Sequence, residues 1–167
     1  MSTLAPNGTR LHTVVALVQN EAGTLNRLVS LFRRRGFSLA SLNAGDCEQE
    51  GFSRLTLVVE GDDNMLYQCH RQLEKLIDVV EVKDVQTEQA VERELALIRV
   101  EPSDEDRETV YRIVSEYYAR TPRASASGLV VEVSAEPAEI ARLIEALKPY
   151  GITEIVRSGL VAMKVEG

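Results

Sequence analysis

Apolar residues change their spacing along this chain in a regular succession. The stretch HTVVALV at 12–18 is nearly continuous, whereas Leu25, Leu28, Val29 and Phe32 recur every three or four positions. The first pattern suits a buried strand and the second a helix, whose side chains return to one face every 3.6 residues. The helix is expected over 24–35, ending at Gly36, because glycine readily takes the left-handed turn that closes a helix. FSLASLNAG at 37–45 follows as a second strand. In FSRLTLVVE, Leu55, Leu57 and Val59 alternate with Thr56 and Val58, a third strand closed by the turn GDD. A helix over 64–77 is then expected to bury Leu66, Cys69, Leu73, Leu76 and Ile77, and VVEVKDV at 79–85 makes a fourth strand.

The order β-α-β-β-α-β is the split βαβ, or ferredoxin-like, arrangement. QTEQAVER at 86–93 is a polar connector, after which the succession restarts. ELALIRV is a strand and EPSDEDRETVYRIVSEYYAR a helix, with Ser103 and Asp106 at capping spacing and acidic residues at its start. TPRASASG suits a short strand and turn, and LVVEVSA a strand. Pro137 starts a helix through Ile140, Leu143, Ile144 and Leu147 that Gly151 ends. ITEIVRSGLVAMKV supplies one or two last strands, broken at Gly159. The fold class is therefore α+β: two ferredoxin-like domains in series, over 11–86 and 92–167. A sheet with helices on one face leaves its other face and its edges open, so an oligomer is expected.

The chain has 167 residues, 44% of them hydrophobic, enough for a substantial core. Its 19 Lys and Arg against 26 Asp and Glu give a net charge of −7, which repels a nucleic-acid backbone. RNA-recognition sheets of this topology stack bases on strand aromatics, and here only Phe52 stands near such a position, so no nucleic-acid partner is expected. The cluster Arg33, Arg34 and Arg35 falls in the last turn of the first helix, where cations complement the helix dipole. No apolar run approaches the roughly 20 residues that span a bilayer, and MSTLAPNGTR lacks the features of a secretory signal. No membrane partner and a cytoplasmic location are expected. Cys47 and Cys69 have neither CxxC spacing nor a nearby histidine suited to a metal site, and are expected to be buried or bystander thiols.

Catalytic constellations are not evident. His12 and His70 stand alone, Ser125 and Ser127 lack a nucleophile-elbow context, and no glycine-rich phosphate loop occurs. The most informative stretch is QNEAGTLNRL at 19–28, where a strand hands over to a helix through Gly23. The glycine either just lets the chain turn or lets helix-start amides hold a small anion.

VALVQNEAGTLNRLVSLFRRRGFSLASLNAG, SRLTLVVEGDD, QLEKLIDVVEVKDV, VERELALIRV and ITEIVRSGLVAMKV, in that order, resemble the small, regulatory subunits of acetolactate synthase, also called acetohydroxyacid synthase. The resemblance runs from Leu11 to Lys164. It implies an N-terminal ACT domain, the amino-acid-sensing version of the ferredoxin-like fold, and a C-terminal domain particular to the family. It further implies a non-catalytic subunit that activates the large subunit and confers feedback inhibition by a branched-chain amino acid, usually valine. Thiamine diphosphate, magnesium and FAD would belong to the large subunit, and this chain would hold no cofactor and no metal. The effector would bind between two ACT domains of a homodimer. Carried over by motif, one subunit would contribute Asn20, Glu21, Ala22, Gly23, Thr24 and Leu25, and the other Ser38 and Leu39. Leu25 and Leu39 would be apolar walls for the effector side chain. Many family members carry Asn where this chain has Ser38. Stand-alone ACT-domain sensors share the turn, but they have no need of VERELALIRV and RSGLVAMKV.

Overall fold

The computed structural model describes residues 10–86 and 89–165, and the centre of the polar connector, Thr87 and Glu88, lies outside them. The described residues form two compact units. The first takes the chain up to Val91 together with the segment from Leu160 on, and the second is Glu92–Gly159.

In the first unit β1 (Leu11–Gln19), β2 (Ser38–Asp46), β3 (Phe52–Glu60) and β4 (Val79–Val85) form an antiparallel sheet ordered β2-β3-β1-β4, with α1 (Thr24–Arg35) and α2 (Asp63–Leu73) as its helices. The strand alternation predicted from sequence sets the core. Val14, Ala16 and Val18 of β1 and Leu55, Leu57 and Val59 of β3 pack with Leu28, Leu31 and Phe32 of α1 and Cys69 and Leu73 of α2. α1 ends at Gly36, whose φ of 68° lets its backbone N–H reach the carbonyls of Phe32 and Arg33. Asp62 caps α2, its carboxylate accepting a 2.7 Å bond from the Met65 amide.

The second unit repeats the plan. β5 (Ala90–Val100), β6 (Arg120–Ala124), β7 (Leu129–Ala135) and β8 (Ile152–Arg157) run in the order β6-β7-β5-β8, with α3 (Arg107–Glu116) and α4 (Pro137–Leu147). Its core joins Ala96, Ile98 and Val100 to Leu129, Val131 and Val133, and to Val110, Val114, Ile140, Leu143 and Leu147 from the helices.

The structure corrects several sequence expectations. α2 stops at Leu73, so Ile77, placed by period on the buried stripe, is 87% exposed while the following Asp78 turns inward. α3 starts at Arg107: Ser103 and Asp106 do bond to each other, but as a turn preceding the helix. The connector is shorter than its polarity suggests, because β5 begins at Ala90 and alternation hides Glu92 and Glu94, the latter held by both carboxylate oxygens against Arg157.

The most consequential difference concerns β9 (Val161–Lys164), the strand after Gly159. It pairs with β5 as a fifth strand of the second sheet, as sequence order suggests, yet its segment groups with the first compact unit. Ala162 joins Val15 and Val85 in a small cluster, the Ala162 amide donates to Thr56 Oγ1 at 3.4 Å, and the Val165 amide donates to the Gln89 carbonyl at 2.8 Å. The helix-free face of the first sheet, expected to be open, is therefore partly covered by the chain's own C-terminal segment. That explains why Thr56 is buried along with Leu55, Leu57 and Val59.

Candidate functional site

Four residues, Asn20 to Gly23, carry the chain from β1 into α1. The turn is pinned from outside: the Gln19 amide donates to the Asp78 carbonyl and the Asn20 amide to the Gly51 carbonyl, both at 2.8 Å. Gly23 is the helix N-cap with φ 92° in the left-handed region, and it brings no side chain to cap the helix. Thr24 points inward, its hydroxyl donating to the Gln19 carbonyl at 3.1 Å, while its amide bonds Glu21 O. At a helix start the amides of Leu25 and Asn26 have no intrahelical acceptor. No acidic residue sits in the first turn of α1, so the positive end of its dipole is not offset from within the helix.

This helix start opens onto a cleft of about 310 Å³, within the range of small-ligand sites. The turn supplies Asn20, Glu21, Gly23, Thr24 and Leu25, joined by Asn26 of α1 and by Val18 and Gln19 at the end of β1. Ala44 of β2 and Ser53 and Leu55 of β3 form the rest of the lining. The ladders bring these together, since Val18 pairs with Ser53, Ala16 with Leu55, and Leu55 in turn with Ala44. Of the residues expected from sequence, Ala22 is exposed on the same turn without lining the cleft. Val18, Gln19, Asn26, Ala44, Ser53 and Leu55 were not anticipated. The antiparallel register of β1 and β3, had it been drawn out, points to Ser53 and Leu55; nothing local to Ala44 does.

Ser38 and Leu39 are elsewhere. Ser38 pairs with Glu60 at the opposite end of the sheet from Ala44, six residues or about 20 Å along β2. Its hydroxyl donates to Glu60 Oε2 at 3.2 Å, and Leu39 is half-buried against the first core rather than presented to solvent. One copy of the chain does not bring the two parts of the expected site together.

Charge beneath the turn is concentrated in one pair. Arg27 Nε donates to Asp78 Oδ2 at 2.5 Å, and this bond, aided by the nearby Glu21, raises the affinity of the guanidinium for its proton. Burial pushes the Cys69 thiol up to about 12, so it is protonated and unreactive at neutral pH.

The comparisons with known proteins cover both halves. Residues 15–81 match a family described as the AHAS small subunit-like ACT domain, and residues 93–166 one described as the small subunit of acetolactate synthase. A probable acetolactate synthase small subunit of Archaeoglobus fulgidus is 41% identical over 152 residues, covering 91% of this chain and 95% of the relative. The chain belongs to the acetolactate synthase small-subunit family. Another relative, the acetolactate synthase small subunit of Mycolicibacterium smegmatis, is 40% identical over 94% of this chain and 92% of its own length. The crystal structure of the acetolactate synthase small subunit of Thermotoga maritima superposes with a TM-score of 0.89 at 35% identity, covering 95% of this chain and 99% of that one. Within the family the first unit is the ACT domain, and both units have the ferredoxin-like plan anticipated from sequence. Among the described residues no helix is long and apolar enough to cross a membrane.

Proposed function

We propose that this chain is the non-catalytic regulatory subunit of a cytoplasmic acetolactate synthase, activating the catalytic large subunit and binding a branched-chain amino acid, valine above others, as feedback effector. The observation that carries the proposal is family membership across nine-tenths of the chain combined with an uncapped helix start that faces a cleft. In this reading thiamine diphosphate, magnesium and FAD reside on the large subunit. A zwitterion suits the cleft: the amides of Leu25 and Asn26 and the helix dipole favour its carboxylate, the Glu21 carboxylate its ammonium, and Val18, Leu25 and Leu55 its aliphatic side chain.

The dimer is supported by the unequal edges of the first sheet. β4 carries Glu81, Lys83 and Asp84, charges that discourage pairing, whereas β2 runs through SLASLNAG without one before Asp46. Antiparallel pairing of two β2 edges would set the start of one strand, with the partner's Ser38 and Leu39, beside the end of the other, next to Ala44 in the cleft wall, and so bring the second half of the site from the other copy.

The test is acetolactate formation by the cognate large subunit with and without this chain, titrated with valine, isoleucine and leucine. The chain alone should form none, and its addition should raise the large-subunit rate and make it sensitive to one of the three. An unchanged rate, or a rate insensitive to all three, refutes the corresponding half of the proposal.

A further inference from the structure

Beneath the cleft a closed circuit of polar contacts involves two residues that do not line the cleft. The Gln19 amide donates to the Asp78 carbonyl at 2.8 Å, and the Gln19 carbonyl accepts from Thr24 Oγ1 at 3.1 Å. Thr24 Oγ1 also accepts from Arg27 Nη2 at 3.5 Å, and Arg27 Nε closes the circuit on Asp78 Oδ2 at 2.5 Å. Gln19 and Thr24 line the cleft; Arg27 and Asp78 do not. We propose that Asp78 is a positioning residue for the effector turn, fixing the shape of the cleft through Arg27, Thr24 and Gln19. The proposal rests on the effector reading above and deepens it.

Asp78 is 5% exposed, and a carboxylate so buried is tolerated only when paired. It sits just before β4, where the β1–β4 ladder shifts register between Leu17 and Val18 so that Val18 faces Val79. The shift frees Asp78 to grip the turn at both ends, its backbone at Gln19 and its side chain at Arg27. The guanidinium lies directly under the turn, 3.2 Å from where a Cβ on Gly23 would stand, and the Arg27 amide donates to the Gly23 carbonyl at 2.9 Å. Loosening Asp78 therefore releases the side chain on which the left-handed turn rests, and the helix-start amides lose their fixed aim. By the same linkage an effector that stiffens the turn stiffens the start of β4.

The test uses the full chain, with Asp78→Asn as near-isosteric loss of charge and Arg27→Lys as the conservative partner change. Valine affinity is measured by calorimetry and amide hydrogen exchange is resolved by segment. Asp78→Asn is expected to weaken valine about tenfold or more and to speed exchange over 19–27 while Leu55–Val59 stays protected. Arg27→Lys, which keeps the charge facing Asp78, should retain most of the native affinity. Arg27→Gln combined with Asp78→Asn should bind no worse than Asp78→Asn alone, as expected of groups acting as a unit. Native affinity in Asp78→Asn overturns the proposal and leaves the effector reading intact. Loss of β3 protection in both Asp78→Asn and Arg27→Lys also overturns it, because the pair would then support the whole unit and not the turn. A native chain that binds none of valine, leucine and isoleucine overturns the effector reading and this proposal with it.

Discussion

Replacing Gly23 separates the conformational demand of the turn from its electrostatics. Alanine at φ 92° costs about 1–2 kcal/mol for entering the left-handed region. Its Cβ would also lie 3.2 Å from Arg27 Nη1, a flexible tip tethered by Asp78, so the guanidinium must move by a few tenths of an ångström. For a chain of this length that is a loss of roughly 2–8 °C in melting temperature. Asn and Asp both tolerate the left-handed region better than Ala, and they have nearly the same shape. The pair Gly23→Asn and Gly23→Asp therefore differs chiefly by one charge. In the free protein the new carboxylate gains Arg27 as a neighbour, so the Asp variant should melt no lower than the Asn variant. In the complex the same carboxylate faces that of the effector. Two like charges about 4 Å apart repel by about 1 kcal/mol in water and about 4 kcal/mol at the effective dielectric near a protein surface, or roughly 5- to 900-fold in affinity. Valine affinity should fall from the Asn to the Asp variant with no matching fall in stability. Parallel calorimetric melts and valine titrations measure both, and equal valine affinity in the Asp and Asn variants refutes the placement of the effector carboxylate at the start of α1.

Three further outcomes are expected. Ser38→Asn keeps a donor for Glu60 and adds reach, so if its residue completes the site of a second copy, valine should bind about 2- to 12-fold tighter; equal or weaker binding refutes that role. Ending the chain after Gly159 removes buried Leu160 and Ala162 and the bonds to Thr56 and Gln89, a gross contribution of about 3–7 kcal/mol that the ordering of the segment reduces to a net loss on the order of 1–3 kcal/mol. An unchanged urea midpoint for the first unit would show that β9 adds nothing to it. The folded chain holds the Cys69 proton up to about 12 against an ordinary 9.0, so between those values it binds more protons than the unfolded chain and its stability falls as pH rises, by at most about 1.4 kcal/mol per pH unit. Below pH 9 this contribution is fully present, and Cys69→Ala should show a shallower alkaline decline in calorimetric melts than the parent.

What the sequence made legible was local. The alternation of Leu55, Leu57 and Val59 fixed a core face, Gly36 marked a helix end, and all but Ala22 of the stretch Asn20 to Leu25 line one cleft. What it hid was decided by partners far along the chain. Ile77 continues the helical period of α2, but the helix has already ended at Leu73, and although Leu76 still packs on the core it is Asp78 that turns inward next, towards Arg27, 51 residues away. The alternation of Leu160 to Lys164 is the same whichever unit receives it, so no local signal could assign β9. Ala44 enters the cleft wall only through the β2–β3 register.

The return of β9 also imposes an order on synthesis. Within the second unit the Ser158 and Leu95 backbones are joined at 3.0 Å, so once that unit has folded, the chain beyond Gly159 emerges close to the start of β5, and only a short closure remains before Val165 meets Gln89. Until then Val15 and Val85 have Ala90 but not Ala162 packed on them, and Thr56 lacks the Ala162 amide. At 5–20 residues per second, the roughly 80 residues from the end of β4 to the end of β9 take about 4–16 s to make. For that interval the nascent first unit carries a partly uncovered apolar patch on the ribosome, an opening for chaperones or for a neighbouring nascent copy.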